Sequence, residues 1–267
     1  MKKLLLCLLV VLSFSLTSCG KKKVSREDQF IVAMECAYAP FNWTEARRTE
    51  TNYPIEGTRL YADGYDVQMA KKIAEGLGKT LVIKALDWRG LIPALQKDQV
   101  DAVIAGMSPT EERKLSVDFT DAYYTSTHVL VMAKDSKFLS GKTLSDFAGA
   151  NVVGQKDTLY DTLIDQLVGA NHQTPLGDVP TIITALNAKR SDITILEEPV
   201  AKGVVAANPD YTYITLVEGF NVTEEQVAVS IALKKGSSLA EKINSILNGI
   251  SLEERTNIMM DAVERAR

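Results

Sequence analysis

Short apolar runs alternate with amphipathic stretches along most of the chain. The segment 66–77 carries its apolar residues at helical spacing and is followed by Gly78, which favours a helix end. The runs 30–34, 81–83 and 101–105 are short and apolar, as buried strands are. This series of strands and helices predicts a mostly parallel sheet with helices on both faces.

A second series of the same kind continues to the end of the chain. Its predicted strands are 128–132, 151–153, 193–196 and 227–233, and its predicted helices are 158–168, 180–188, 238–247 and 251–264. Two α/β lobes are therefore expected, with a ligand site at the seam between them, where the carboxyl ends of strands meet. The polar segment 44–62, which contains Pro54 and Gly57, interrupts this rhythm and predicts a surface loop.

The beginning of the chain, 1–18, has the pattern of an export signal. Lys2 and Lys3 precede an apolar run over 4–16, which is shorter than the ~20 residues that a spanning helix needs. The residues Leu16-Thr17-Ser18-Cys19 resemble a bacterial lipobox, in which a diacylglyceryl group is attached to the cysteine and cleavage falls just before it. The resemblance implies a chain anchored by lipid outside the cytoplasmic membrane, with a tether over 19–29. An ordinary signal peptide with a chance cysteine is the alternative.

Composition and charge narrow the class of protein. Hydrophobic residues make up 46% of the chain and charged residues 24%, as in soluble globular proteins. The net charge of −4 argues against nucleic acid as a partner, because nucleic-acid binding requires a basic face. No second apolar run reaches membrane-spanning length, so the lipid is the only expected membrane attachment.

Cysteine and histidine usage indicates neither disulfides nor metal. Cys7 lies in the export signal and Cys19 carries the expected lipid, which leaves Cys36 without a partner for an intrachain disulfide. An inert, half-buried thiol is the simplest reading of Cys36. The two histidines, His128 and His172, are far apart and outside metal-ligand spacing, so no metal and no cofactor are expected.

One local pattern suggests an anion site. In the segment 106–113, Ser108 is placed to cap a helix, Pro109 suits its first position, and Glu111 completes a capping box. A helix N-terminus offers free backbone N–H groups, and Arg113 can add a bidentate contact to a carboxylate. Taken alone, the pattern favours a capped surface helix with a solvated arginine, because such helix starts are common.

Several short motifs follow one another in a fixed order from about residue 30 to the end of the chain. They are Tyr38-Ala39-Pro40-Phe41, Gly64-Tyr65-Asp66-Val67, Trp88-Arg89-Gly90-Leu91-Ile92-Pro93-Ala94-Leu95, the segment 101–113, and Asp118-Phe119-Thr120. Together they resemble the extracellular solute-binding proteins of ABC importers for polar amino acids. The resemblance implies a periplasmic-binding-protein-like fold, in which two α/β lobes joined by two crossing strands close over one ligand. Lobe one is expected at 30–125 and 222–267, and lobe two at 126–221.

The resemblance also implies how the α-carboxylate of a ligand is held. Arg113, with Ser108 and backbone N–H groups near Gly106, is expected to bind it from lobe one. Thr158 matches a threonine of lobe two that binds the same carboxylate. The family usually has glycine where this chain has Asp157, so the loop of lobe two can differ here.

The resemblance also implies which residues bind the α-ammonium and the side chain of the ligand. Glu197 matches an acidic residue that accepts the α-ammonium, and Tyr38 and Trp88 match an aromatic pair that sandwiches the ligand side chain. Glu35 lies three positions before Tyr38, where binders of basic amino acids can place an acid against the side-chain cation. A cationic ligand such as arginine, lysine, ornithine or histidine is therefore expected, and an exposed Glu35 with a neutral ligand such as glutamine is the alternative.

The expected function is that of a monomeric, lipid-anchored binding protein that delivers an amino acid to ABC permease subunits. An enzyme is the second hypothesis, because some proteins of this fold are dehydratases, and Glu197 or Glu35 could serve as a general acid. The sequence contains no acid–base pair whose spacing demands catalysis, so no enzymatic activity is expected. A sensor domain that signals through a partner protein is the third.

Overall fold

The computed structural model describes residues 24–266 of the chain. The predicted export signal, 1–18, and the predicted lipidation site, Cys19, lie outside the described residues. Among the helices of 24–266, none has the length and apolar character needed to cross a membrane.

Strands and helices alternate along 24–266. The strands are β1 (Gln29–Met34), β2 (Ala37–Tyr38), β3 (Asn42–Glu45), β4 (Tyr53–Pro54), β5 (Tyr61–Asp63), β6 (Thr80–Ala85), β7 (Ala102–Val103), β8 (Val117–Thr125), β9 (His128–Ala133), β10 (Asn151–Val152), β11 (Asn171–His172), β12 (Ile193–Glu197), β13 (Tyr211–Ile214) and β14 (Ala228–Lys234). The α-helices are α1 (Tyr65–Gly76), α2 (Leu91–Gln96), α3 (Glu111–Lys114), α4 (Leu159–Leu163), α5 (Val179–Asn187), α6 (Glu198–Ala207), α7 (Glu224–Val227), α8 (Leu239–Asn248) and α9 (Leu252–Arg265).

Two five-stranded sheets form the centres of two lobes. The first has the order β6-β1-β7-β14-β8, and the second has the order β11-β10-β12-β9-β13. In each sheet three neighbouring strands are parallel and the last two pairings are antiparallel. The predicted architecture of two α/β lobes is confirmed, with mixed sheets.

The chain crosses between the two sheets twice. It leaves the first sheet after Thr125 and enters the second at His128, and it returns between Ile214 and Ala228. The backbone N–H of Ser126 donates to the carbonyl of Val227, 3.0 Å away, so the two crossings lie side by side.

Strand β1 shows why the chain carries continuous apolar runs. Phe30, Val32 and Met34 pack into a core with α1, α8 and α9, whereas Ile31 and Ala33 pack into a separate core with α2. A strand covered by helices on both faces needs apolar residues at every position.

The prediction of a surface loop at 44–62 is wrong. Strands β3, β4 and β5 form a small antiparallel sheet with β2, and Ile55, directly after β4, is buried and pairs with Ile83 of β6. The hydroxyl of Tyr53 donates to the carbonyl of Leu81, which attaches this sheet to the edge strand β6. These strands are only two to four residues long, too short for their pairing to appear as a period in the sequence.

The predicted tether extends too far along the chain. Gln29 already belongs to β1. The guanidinium of Arg26 donates to both carboxylate oxygens of Asp101, at 3.0 and 2.7 Å. The residues immediately before β1 are therefore bound to the first lobe.

Candidate functional site

A narrow cavity lies between the lobes, at the carboxyl ends of β1, β7 and β10. All predicted ligand-binding residues except Glu197 line it, namely Glu35, Tyr38, Trp88, Gly106, Ser108, Arg113 and Thr158. The structure adds Gln155, Leu159 and Tyr160, which the sequence analysis missed. These three lie in and just after a loop whose sequence has no periodicity that could indicate an inward direction.

Arg113 provides a positive charge on the cavity wall. Its Nη1 donates to the carbonyl of Ser108 at 2.9 Å, its Nη2 donates to the carbonyl of Asp157 at 3.2 Å, and its guanidinium carbon lies 5.1 Å from the centre of the Trp88 ring. Burial lowers the pKa of Arg113. Arg113 takes part in none of the ion pairs found within 24–266, so it can accept an anionic partner from outside the chain.

The helix that carries Arg113 starts later than predicted. Thr110 caps α3, with its hydroxyl accepting from the backbone N–H of Arg113, so the predicted cap at Ser108 is wrong. The hydroxyl of Ser108 donates instead to the carbonyl of Gln226. Before the helix the backbone N–H of Thr110 donates to the carbonyl of Ser108 at 3.0 Å, and the helix itself has only one turn.

Gly106 permits the close approach of an aromatic ring. Its φ is +61°, and a Cβ atom at this position would lie 3.0 Å from Cε1 of Tyr38. The backbone N–H of Gly106 donates to the hydroxyl of Tyr123 at 3.3 Å. Tyr123 in turn donates to Asp66, at 2.6 Å.

Asp66 belongs to a buried network that shapes the end of β1. Its carboxylate also accepts from the amide of Asn42, whose own oxygen accepts from the backbone N–H of Cys36 at 2.7 Å. Burial raises the pKa of Asp66 to about 6, against the hydrogen bonds from Tyr123 and Asn42. The network holds the backbone beside Glu35 in place.

Glu35 provides a negative charge at the cavity. Its Oε1 accepts a hydrogen bond of 2.7 Å from Nε2 of Gln155, which belongs to the other lobe. Burial raises the pKa of Glu35 to about 7, and the nearby carboxylates of Asp178 and Asp87 raise it further, while the bond from Gln155 opposes the shift. No lysine or arginine of 24–266 forms an ion pair with it.

Glu197 is a second acid without a partner, outside the cavity lining. It is 1% exposed at the end of β12, and its carboxylate accepts no hydrogen bond from another residue of 24–266. Burial raises its pKa to about 8. His128 lies opposite it in the sheet, but burial lowers the pKa of His128 to about 4, so this histidine supplies no countercharge at neutral pH.

Contacts across the cleft converge on Asp157. Its carbonyl accepts from Nε1 of Trp88 at 3.0 Å as well as from Arg113, and its carboxylate pairs with Arg89 at 2.9 Å. Asp157 has a φ of 60°, the left-handed region that favours glycine. The hydroxyl of Thr158 donates to the carbonyl of Gln155 and thereby stabilises this loop.

Proteins with similar sequences include two that are named as amino-acid-binding proteins. The chain is 32% identical over 257 residues to the arginine-binding extracellular protein ArtP of Bacillus subtilis (strain 168), with 92% of each protein covered. It is 30% identical over 197 residues to the ABC transporter glutamine-binding protein GlnH of the same organism, with 72% of this chain and 69% of that protein covered.

Solved structures share the fold. The amino acid ABC transporter substrate-binding protein AbpA of Streptococcus pneumoniae, solved with L-arginine bound, matches with a TM-score of 0.77 and 27% identity over 90% of this chain and 96% of that one. The predicted periplasmic-binding-protein-like fold is confirmed. The family model of the bacterial extracellular solute-binding proteins, family 3, matches residues 30–261 of the chain. The chain therefore belongs to the family 3 bacterial extracellular solute-binding proteins.

Proposed function

We propose that this protein captures a cationic amino acid between its lobes and delivers it to the membrane subunits of an ABC importer. The observation that carries the proposal is the pair of charges at one cavity. Arg113 has no acidic partner and Glu35 has no basic partner within 24–266. Since an unpaired buried charge is costly, such a cavity favours a ligand that supplies both missing signs.

The residues assigned to the ligand match an amino acid with a cationic side chain, whose α-ammonium ionises the buried carboxyl of Glu197 on binding. Arg113 takes the α-carboxylate, Glu197 takes the α-ammonium, and Glu35 takes a cation on the side chain. Tyr38 and Trp88 line the same cavity and present aromatic faces to that side chain. The names of ArtP and of the arginine-bound AbpA support the same assignment.

A neutral amino acid such as glutamine is the second candidate. Burial raises the pKa of Glu35 to about 7, so a protonated Glu35 could donate to a side-chain carbonyl. The glutamine-binding relative GlnH gives this alternative further support. The two candidates differ in what Glu35 must do, because a cation needs the ionised carboxylate and an amide needs only a hydrogen-bonding group.

Closure of the lobes around the ligand is the proposed mechanism. Residues of both lobes meet at the cavity, and a ligand that contacts both favours the closed arrangement over an open one. The permease then recognises the closed form. The protein returns its ligand unchanged, in contrast to a dehydratase, so chemical analysis of the recovered ligand separates the transport hypothesis from the enzyme hypothesis.

Thermal unfolding with each of the twenty amino acids, ornithine and cystine tests the proposal. Endogenous ligand is first removed by partial unfolding. Ligand at about 100 times its dissociation constant adds ~2.7 kcal/mol to the free energy of unfolding. We expect a shift confined to cationic amino acids, and E35Q should weaken arginine binding. A shift with glutamine alone would favour the second candidate, and no shift with any amino acid would contradict both.

We further propose that the protein is a monomer anchored by lipid at Cys19 outside the cytoplasmic membrane. The lipobox-like residues 16–19 support the anchor, and the extracellular family agrees with the location. In a detergent phase-separation assay of expressing cells, the protein should enter the detergent phase, and C19A should not. Equal partitioning of the two proteins would contradict the lipid anchor.

A further inference from the structure

Asp157 connects the second lobe to the first on the outer side of the cavity. Its carbonyl accepts from Nε1 of Trp88 at 3.0 Å and from Nη2 of Arg113 at 3.2 Å, and its carboxylate pairs with Nε of Arg89 at 2.9 Å. Trp88 and Arg89 belong to the short 3-10 helix Trp88–Gly90, whereas Arg113 lies on α3. One loop residue of the second lobe therefore joins two separate elements of the first.

These contacts lie at the boundary between two spaces of the cleft. Trp88 and Arg113 line both the narrow cavity and a wider outer cleft, so they form part of the wall between the two. Arg89 and Asp157 line the outer cleft and not the narrow cavity. The bonds from Trp88 and Arg113 to the carbonyl of Asp157 close this wall from the opposite lobe. Parting of the lobes breaks these bonds and the ion pair together.

The ion pair fixes the loop that presents this carbonyl. Asp157 has a φ of 60°, in the left-handed region, which glycine enters freely and aspartate and asparagine enter more readily than other residues. Arg89 binds the carboxylate of the same residue whose carbonyl faces Trp88 and Arg113. The pair therefore holds the carbonyl in the direction in which it meets both donors.

We propose that the ion pair of Asp157 and Arg89 is a latch between the lobes that slows release of the ligand without contacting it. The inference rests on the proposed function, because it concerns closure around that ligand. A pair that joins the two lobes lowers the free energy of the closed arrangement relative to the open one. The apparent affinity of a ligand follows the population of the binding-competent arrangement, so the latch tightens the binding of every ligand by the same factor. Asp157 and Arg89 are positioning residues, since they act through Trp88 and Arg113.

The exposure of the latch determines the size of its effect. The side chains of Arg89 and Asp157 are 67% and 54% exposed, and such pairs are screened by water and salt. Removing the latch should therefore weaken ligand binding by about two- to fivefold. The loss should appear in koff, because the pair forms only after the ligand has entered the open cleft. In about 1 M salt, where the Debye length is ~3 Å, most of the effect should disappear.

The test measures koff and kon of L-arginine by stopped-flow tryptophan fluorescence for the protein, D157N, R89M and the double variant. Asparagine keeps the tolerance of a left-handed φ and removes the charge, and methionine keeps most of the length of Arg89 without its guanidinium. D98N is the matched control, because Asp98 also has a left-handed φ, 56°, and forms an exposed ion pair with Lys234 within the first lobe. D157G repeats the test in a loop without backbone strain.

We expect D157N and R89M each to raise koff by about two- to fivefold at low salt, with kon nearly unchanged. The double variant should lose no more affinity than either single variant, because both remove the same pair. D98N should release L-arginine at the rate of the unsubstituted protein. Any second amino acid that binds should lose the same factor in D157N, because the latch contacts no ligand.

Two results would overturn the inference and leave the proposed function standing. An unchanged koff in D157N at low salt would mean that the pair does not hold the lobes together. Additive losses in the double variant would mean that the two side chains act separately. If L-glutamine binds in place of L-arginine, the cationic ligand class falls, and the same comparison with L-glutamine tests the latch. Failure of both amino acids to bind would overturn the proposed function together with the inference.

Discussion

Replacing Glu197 by glutamine should stabilise the ligand-free protein. Glu197 is 1% exposed and its carboxylate has no hydrogen-bond partner in another residue of 24–266. Burial raises its pKa from the ordinary value of 4.5 to about 8. Between these two pH values the unfolded chain ionises the group and the folded protein keeps it protonated. Folding therefore costs more free energy as pH rises through this range.

The magnitude follows from the size of the pKa shift. At pH 7 the unfolded-state pKa lies 2.5 units below the pH, which costs about 3 kcal/mol at 1.36 kcal/mol per unit. At pH 5 the cost is about 1 kcal/mol by the same relation. The advantage of E197Q should therefore grow from about 1 to about 3 kcal/mol between pH 5 and pH 7. At pH 7 this corresponds to roughly 6–12 °C in melting temperature for a chain of this size.

The assay is thermal and denaturant unfolding of both proteins at pH 5 and pH 7, after removal of endogenous ligand. Because all other titrating groups are shared, the difference between the proteins isolates Glu197. E198Q is the matched control, since the neighbouring Glu198 forms an exposed ion pair with Lys202, 2.9 Å long. Losing that pair should cost less than about 1 kcal/mol.

Two outcomes would refute this reasoning. E197Q could be no more stable than the unsubstituted protein at pH 7, or its advantage could be the same at pH 5 and pH 7. Either result would mean that Glu197 is not an unpaired buried acid. With saturating arginine the order should change, because the proposed α-ammonium contact stabilises the unsubstituted protein more than E197Q.

Two further predictions concern backbone strain and a surface histidine. G106A should lose about 1–2 kcal/mol of stability from its left-handed φ and should also weaken ligand binding, because a Cβ would press on Tyr38. G57A is the control, because Gly57 has a similar φ and open space around it. In urea unfolding it should show the loss of stability from backbone strain, without weaker ligand binding. Equal ligand affinity in the two variants would contradict the proposed pressure on Tyr38. Burial opposes a charge on His172, but the carboxylates of Asp161 and Asp165 outweigh it and raise its pKa. This stabilisation is full below the unfolded-state pKa and is lost as pH rises through the folded-state pKa, so H172Q should cost about 0.5 kcal/mol at pH 5.5 and nearly nothing at pH 8.5. An equal cost at both pH values, measured from urea midpoints, would speak against this charge pairing.

Some helices and strands could be predicted from the sequence, and others could not. Helix α1 and strand β1 were foreseen because their burial follows one period over many residues. Strand β8 was not foreseen, although it has nine residues, because Asp118, Thr120 and Asp121 interrupt its apolar pattern. Its position depends on pairing with β14, which lies more than a hundred residues later in the chain.

The loop around Asp157 likewise has one feature that could be expected from the sequence and one that could not. The resemblance to the family indicated that glycine is usual at Asp157, and the backbone there has the left-handed φ that favours glycine. The sequence could not indicate that the carboxylate of Asp157 would meet Arg89 of the other lobe. That contact exists only because the two lobes are folded against each other.

The periodicity of the sequence determined the two α/β lobes. Motifs within short segments indicated the family, and the resemblance to that family implied seven residues that line the cavity. The tertiary structure alone decided that Thr110 rather than Ser108 caps α3, that the N–H of Gly106 donates to Tyr123, and that Gln155 meets Glu35. The contacts of Gly106 with Tyr123 and of Gln155 with Glu35 join segments far apart in the chain, and a linear pattern of residue types carries no such distances. The cap of α3 is local, but Ser108 and Thr110 both suit an N-cap by residue type, and only the backbone geometry distinguishes them.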